Sequence, residues 1–142
     1  MSENLKLAVQ KKGRLSDKSL ELLKLCGLEI EDYSERLYVT AKNFDIDILF
    51  LRDDDIPEYV QDGVADLGIV GENVVFEKKS DLLQLRKLGF GGCKLLIAVP
   101  ELTELDTIED INGKTIATSY PNILQGFLDK NNIKAKVITL SG

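Results

Sequence analysis

The sequence predicts an α/β protein in which strands and helices alternate and the sheets are largely parallel. Short apolar runs of strand type recur along the 142 residues, and segments with helical spacing of apolar residues separate them. Glycine-containing turns lie between the runs. With 44% apolar and 30% charged residues the composition is that of a globular protein. A chain of this length buries roughly two-thirds of its unfolded surface, which is enough for a core without disulfides.

The first hundred residues alternate between the two types of element. Ser16 is the predicted N-cap of the first helix, and Gly27 stands where a glycine ends a helix. Leu20, Leu23 and Cys26 form part of its apolar stripe. The predicted strands are 5–10, 36–41, 44–51, 65–71, 82–90 and 93–100, and the predicted helices are 16–27, 56–62 and one that starts at Glu72.

A polar connection with a turn at Asn112-Gly113 leads to a second series of elements. These are a strand at 115–120, a helix at 122–132 and a strand at 135–140. We therefore expect one small domain over 1–102 and the beginning of another over 103–142. Because the last strand is followed by no further helix, we also expect the chain to be truncated.

Composition excludes several classes of function. A net charge of −6 and a pI near 4.7 argue against a nucleic-acid partner, which calls for a basic stripe. The chain has no histidine, so it cannot supply a Ser-His or Cys-His pair. No apolar run nears the roughly 20 residues that span a membrane, and no signal peptide opens the chain. We expect a cytoplasmic protein without membrane contact, with Cys26 and Cys93 as reduced structural thiols and Cys93 in the core.

The segment "RDDDIPEY" joins an apolar strand to a helix and carries three consecutive aspartates. Asp55 and Glu58 have the spacing of a capping box, which leaves Asp53 and Asp54 free. An apolar strand followed by acidic residues resembles the ribose-binding motif of common phosphoribosyltransferases. The Thr-Gly phosphate loop of that motif is missing here. The cluster is therefore a weak indication of a metal or ribose site, against the simpler interpretation of a helix start.

The segment "QKKGRL" follows the first strand and precedes the first helix. Ligands of open α/β sheets bind at this position. Gly13 would allow a close approach of the backbone, while Lys12 and Arg14 could neutralise a phosphate near the helix N-terminus. The alternative is a solvated basic turn.

Two further strand ends carry candidate binding residues. Gly68 inside its strand indicates either tight packing or close approach of a ligand, and Gly71 lies at the end of the same strand. Ser119 and Tyr120 precede a helix, where hydroxyls suit phosphate or base recognition, although simple N-capping would also explain them. The glycines of "GFGGCK" precede a strand and not a helix, so they predict an inter-strand crossing and not a nucleotide loop.

Four segments, 5–28, 50–73, 88–100 and 113–124, together closely resemble ATP phosphoribosyltransferase, in its long, feedback-regulated form. The resemblance covers essentially the whole chain. It implies a fold of the periplasmic binding protein type II kind, with domain I and an incomplete domain II. It also implies the first step of histidine biosynthesis, in which N1 of ATP attacks C1 of phosphoribosyl pyrophosphate and pyrophosphate leaves on Mg²⁺.

The resemblance assigns ligand-binding residues but no catalytic side chain and no protein ligand for a metal. Arg14 would contact ATP phosphates or ribose, with Lys12 and Gly13 in support. The remaining candidates are Asp66, Gly68 and Gly71 on the wall of the first domain, Ser119 and Tyr120 from the second, and Arg52 or Asp53 at the rim.

The resemblance also implies partners. ATP and phosphoribosyl pyrophosphate would be substrates, the whole protein would be a homodimer or hexamer, and histidine would inhibit through a C-terminal domain outside these residues. The family's phosphoribosyl pyrophosphate loop would follow Gly142, so we predict no transferase activity for the 142 residues alone. The alternative is a non-catalytic module that binds a small ligand, of the periplasmic-binding-protein type.

Overall fold

The computed structural model describes residues 3–31 and 35–141, and it confirms the alternation of strands and helices. The strands are β1 (Leu5–Gln10), β2 (Tyr38–Thr40), β3 (Ile46–Leu51), β4 (Leu67–Gly68), β5 (Thr115–Thr118) and β6 (Lys136–Thr139). The helices are α1 (Arg14–Leu25), α2 (Ile56–Gln61), α3 (Glu72–Lys78) and α4 (Pro121–Lys130), with 3₁₀ turns at Asp53–Asp55 and Ile108–Ile111. The chain divides into two compact units, one up to Gly92 and one from Cys93.

The first unit is built on a four-stranded sheet in the order β2-β3-β1-β4. β1 is parallel to β3 and to β4, whereas β2 is antiparallel to β3. Ala8, Val9 and Ile48 in the two central strands are fully buried. Continuous apolar runs of this kind are typical of parallel strands covered on both faces.

Alternate residues of β1 point to two different cores. Val9 packs in a cluster that includes Leu20 and Leu23 of α1, while Ala8 packs with Ile56 of α2. Because neighbouring side chains of a strand point to opposite faces, α1 covers one face of the sheet and α2 covers the other. The first unit therefore has three layers.

Helix α1 begins two residues earlier than the sequence indicates. Gly13, and not Ser16, is its N-cap; Ser16 lies inside the helix, is buried, and donates its hydroxyl to the carbonyl of Lys11 at 3.1 Å. The prediction of Ser16 as N-cap is therefore wrong. The helix ends at Leu25, so Cys26 lies beyond it and is exposed, and the prediction that Cys26 belongs to the apolar stripe is also wrong.

The two predicted strands at 82–90 and 93–100 are absent, since no strand is present between Asp81 and Pro100. Their leucines are largely exposed, among them Leu83 and Leu96. An alternating pattern makes a strand only where a neighbouring strand edge accepts its backbone hydrogen bonds, and these residues have no such partner. Cys93 is exposed for the same reason, which corrects its predicted place in the core.

The second unit contains a two-stranded parallel sheet of β5 and β6 with α4 connecting the strands. Leu124 and Leu128 of α4 pack with Ile111 and Ile133 in its core. The sequence places the domain boundary after residue 102, in the irregular stretch of this unit, and that boundary stays a prediction.

Candidate functional site

The carboxyl ends of three parallel strands lie side by side in the first unit. Gln10 is in register with Leu51, and Ala8 with Gly68. Two hydrogen bonds continue this pairing beyond the strands, from Lys11 N–H to the carbonyl of Leu51 at 2.7 Å and from Ile69 N–H to that of Ala8 at 2.9 Å. The connections 11–13, 52–55 and 69–71 therefore form one edge, called here the carboxyl edge. Open α/β sheets bind their ligands at such an edge.

The most strongly charged part of the carboxyl edge is the basic turn, Lys11–Arg14. All four residues are exposed, and Arg14 is the first residue of the 12-residue helix α1. The amide groups of a helix's first turn carry a partial positive charge, which adds to that of the three cations. The basic turn therefore has the charge to attract an anion such as a phosphate.

Gly13 gives the basic turn its shape. Its φ of 112° is in the region that favours glycine, and a Cβ there would lie 2.5 Å from Nε2 of Gln10. The hydroxyl of Ser16 donates a hydrogen bond to the carbonyl of Lys11, which connects the start of the turn to α1. Lys12, Gly13 and Arg14 thus lie in one shaped turn, and their contact with a ligand stays a prediction.

The aspartates after β3 form a 3₁₀ turn at the same edge. The Asp53 carboxylate accepts a hydrogen bond from the Asp54 amide at 2.9 Å, and Arg52 Nε lies 3.6 Å from the Asp54 carboxylate at an exposed position. Asp55 is the N-cap of α2 but makes no side-chain capping bond, so the predicted capping box with Glu58 is wrong. The 3₁₀ turn places Asp55 in helical backbone geometry, in which a side chain cannot reach the following amides.

Within the described residues, these carboxylates form no three-ligand cluster that could hold magnesium. In the part of the chain that the structure describes, no three acidic or cysteine side chains converge to hold a metal ion. Mg²⁺ commonly keeps several waters and takes only one or two carboxylates together with substrate phosphates. A magnesium site of that kind needs no cluster of three side-chain ligands, so the predicted Mg²⁺ stays a prediction.

Of the glycines that follow the basic turn, Gly68 is explained by packing. A Cβ at Gly68 would lie 2.7 Å from Cγ2 of Ile56 and 3.1 Å from Cγ2 of Val60. The absence of a side chain therefore allows α2 to lie against β4, which is the packing alternative that the sequence left open. Gly71 is the N-cap of α3, with an ordinary φ of −65°, and it lies on the carboxyl edge.

Asp66 lies away from the carboxyl edge, at the amino end of β4. Its carboxylate accepts a hydrogen bond from the Lys6 amide at 2.8 Å, and its own amide donates to the Lys6 carbonyl at 2.9 Å. Gly71 is five positions further along the chain, or about 16 Å if the chain is extended. Asp66 therefore joins β1 to β4, and its predicted contact with a ligand stays a prediction.

Ser119 and Tyr120 lie at the corresponding edge of the second unit, between β5 and α4. Ser119 is exposed and Tyr120 is half-buried. The Tyr120 amide donates to the Thr118 hydroxyl at 2.9 Å, and no side chain caps α4. Since Ser119 does not serve as a cap, its hydroxyl is not committed to the helix start.

One segment near the carboxyl edge is missed by the sequence interpretation. Gly91 lies against Leu15, the second residue of α1, because a Cβ on Gly91 would overlap the Leu15 side chain. The "GFGG" run is predicted to be an inter-strand crossing, which is wrong because neither flanking strand forms. Its clustered glycines were the signal available, and positive φ angles at Gly89 and Gly91 show why they are there.

Comparison with known proteins identifies relatives of the chain. Residues 52–142 match the family model described as HisG: ATP phosphoribosyltransferase. The ATP phosphoribosyltransferase of Cytophaga hutchinsonii is 53% identical over all 142 residues, which are 50% of that protein. That of Parabacteroides distasonis is 46% identical over 138 residues, covering 97% of this chain and 49% of that protein. The chain thus spans about half the length of these curated relatives.

A solved structure gives the same result for the fold. The ATP phosphoribosyl transferase (HisG:HisZ) complex from Thermotoga maritima contains a chain that matches with a TM-score of 0.67 and 28% identity. The match covers 97% of this chain and 65% of that one. The predicted α/β fold of the periplasmic binding protein type II kind is thereby confirmed. Among the described helices, none has the length and apolar character needed to cross a membrane.

Proposed function

Because the chain belongs to the HisG family of ATP phosphoribosyltransferases, we propose that the protein carrying it makes phosphoribosyl-ATP. In this reaction N1 of the adenine of ATP attacks C1 of phosphoribosyl pyrophosphate. The C1–O bond breaks, and pyrophosphate leaves with the electron pair. The product starts histidine biosynthesis. The observation that carries the proposal is 53% identity to a curated ATP phosphoribosyltransferase over every residue of the chain.

The role of the first unit in this proposal is to bind and orient ATP. Arg14 and Lys12 would hold its phosphates at the carboxyl edge, with the first amide groups of α1, while Gly13 leaves room for the close approach. A guanidinium can bind two phosphate oxygens at once, which fixes direction as well as charge. Fixing the reactants in this way is itself a large source of rate, and it requires no nucleophilic side chain.

The same proposal gives a role to the other predicted binding residues. Arg52 and Asp53 would contact a substrate from the second connection of the carboxyl edge, and Gly71 would do so from the third. Ser119 and Tyr120 of the second unit stay predicted binding residues. Magnesium bound to phosphoribosyl pyrophosphate would neutralise charge on the departing pyrophosphate. None of these residues is assigned to the metal.

We also propose that the whole protein is the long, feedback-regulated form of the enzyme. The chain covers half of each curated relative but 65% of the Thermotoga chain, so those relatives are longer proteins. Additional length is what a histidine-binding regulatory domain requires. Self-assembly into dimers or hexamers belongs to the same proposal, as does a cytoplasmic location, which the free cysteines Cys26 and Cys93 support.

A pyrophosphate-release assay tests the proposal. A protein of the relatives' full length that carries this chain should release pyrophosphate only when ATP, phosphoribosyl pyrophosphate and Mg²⁺ are all present. The 142 residues alone should release none. Release of no pyrophosphate by the full-length protein, together with calorimetric binding of a small solute but not of ATP or AMP, would instead favour the non-catalytic binding module.

A further inference from the structure

An irregular segment, Lys87–Gly92, crosses the first unit next to the carboxyl edge and is called here the strap. At one end, Lys87 Nζ lies 3.9 Å from the carboxylate of Glu72, the first residue of α3. Near the other end, Gly91 packs on Leu15 in the first turn of α1. Both helices begin directly after strands whose carboxyl ends form the edge. The strap therefore runs from the connection after β4 to the basic turn.

Of these two contacts, the one between Gly91 and Leu15 is the closer. Gly91 has a φ of +70°, and a methyl group added to it would overlap Leu15 Cδ2. The Lys87–Glu72 pair is exposed at both side chains, and such pairs contribute little. Within the described residues, no backbone hydrogen bond joins the strap to a strand or helix. The Gly91–Leu15 contact is therefore what sets the distance between the strap and α1.

Leu15 is also the neighbour of Arg14, whose guanidinium belongs to the basic turn. A larger residue at position 91 would press on Cδ2 of Leu15, whose backbone belongs to the same first turn of α1 that presents Arg14. Neither Gly91 nor Leu15 carries a charge or a polar side chain. Their side chains therefore offer a phosphate ligand no charged or polar group, and they would influence it through the position of the basic turn.

We propose that Gly91 and Leu15 are positioning residues that hold the basic turn in the geometry that binds the phosphates of ATP. The identity of the ligand rests on the proposed function, whereas the coupling of the strap to the basic turn does not. Leu15 and Gly91 would then act together on the basic turn, although more than seventy residues separate them in the chain.

Gly91→Ala tests the proposal, and Gly89→Ala is its matched control. Both glycines have a left-handed backbone, with φ of +70° and +77°, so both substitutions introduce the same kind of backbone strain. Only position 91 has a side chain in the way, since nothing lies within 4 Å of a Cβ at Gly89. A second variant, Gly91→Ala with Leu15→Ala, removes the overlap while retaining the strain.

The first measurement is the backbone amide NMR spectrum of the 142-residue chain, with the resonances of Lys11–Arg14 as the readout. Gly91→Ala should shift them and Gly89→Ala should not. The double variant should return them to the positions seen in Leu15→Ala alone. Equal shifts in Gly91→Ala and Gly89→Ala, or no shift in either, would overturn the proposal.

The second measurement is ATP affinity by calorimetry in a protein of the relatives' full length. Gly91→Ala should weaken binding roughly tenfold or more, because misplaced binding groups lose much of their effect. Gly89→Ala should leave the affinity unchanged although the two variants unfold at similar temperatures. If the parent protein does not bind ATP, the proposed function fails, while the NMR comparison still decides whether the strap positions the basic turn.

Discussion

Arg14 is the residue on which the proposed binding of ATP depends most directly. It is exposed, it opens a 12-residue helix, and Gly13 and Ser16 hold the turn before it in shape. The sequence alone indicates a basic turn at a ligand-binding position. The structure adds that the turn lies beside the connection that carries the three aspartates.

Arg14→Ala should weaken ATP binding by the full-length protein by about 1.5–3 kcal/mol, which is the range for a hydrogen-bonded charged group. Calorimetry would measure this as a Kd that is roughly 10- to 150-fold higher. Lys24→Ala is the control, because Lys24 is an exposed cation in the last turn of the same helix. Equal losses in the two variants would mean that only overall charge matters and that Arg14 has no special position.

Gly68→Ala should destabilise the chain by about 1–3 kcal/mol, the usual cost of overpacking. The added Cβ would lie 2.7 Å from Cγ2 of the fully buried Ile56, which has no room to move aside. Urea unfolding would measure the loss. Gly92→Ala is the control, since its backbone is not left-handed and nothing lies within 4 Å of its Cβ; it should change stability by less than about 0.5 kcal/mol.

At the scale of elements, the polar connection before β5 is more ordered than the sequence indicates. Residues Ile108–Ile111 form a 3₁₀ turn with a capping box between Thr107 and Asp110. The Asp110 carboxylate accepts hydrogen bonds from the amides of Thr107 at 3.0 Å and Asp106 at 2.9 Å. These bonds from Thr107 and Asp106 lower the pKa of Asp110 below its ordinary value of 3.8.

The lowered pKa of Asp110 predicts a dependence of stability on acid. The folded state binds this proton less readily than the unfolded state, so the stabilisation is fully present above the ordinary pKa and is lost as pH falls through the folded pKa. The thermal unfolding temperature should therefore decline below about pH 4. Asp110→Asn should lower that temperature at neutral pH and reduce its decline in acid.

Glu109→Gln is the control for this element, because the Glu109 side chain is exposed and lies outside the capping box. Differential scanning calorimetry at neutral pH and near pH 3 would compare the variants. If Glu109→Gln and Asp110→Asn reduce the decline of the unfolding temperature in acid equally, the general charge of the segment, and not the capping box, is responsible.

At the scale of the whole molecule, stability in the first unit rests on the two central strands. Ile48→Ala should cost about 2–5 kcal/mol, because Ile48 is fully buried in β3 and its removal leaves a cavity. Ile138→Ala in β6 should cost much less, since Ile138 is 42% exposed. Urea unfolding would measure both. A loss below about 1 kcal/mol for Ile48→Ala would contradict the described core.

The sequence by itself determined the alternation of strands and helices, the family, and the place of the basic turn after β1. Each of these depends on residues that are close together in the chain: a period of apolar side chains, a glycine at a turn, or a run of cations before a helix. Local patterns of this kind act within one element, so they can be recognised without knowing the fold.

Only the tertiary structure decided how distant segments use their residues. Asp66 joins β4 to Lys6, sixty residues earlier, and Gly91 packs on Leu15. The alternating leucines of 82–100 form no strand because no strand edge receives them. Pairing and close packing depend on which segments meet in space. A local pattern contains no information about which segments meet, so it does not predict the contact of the strap with α1.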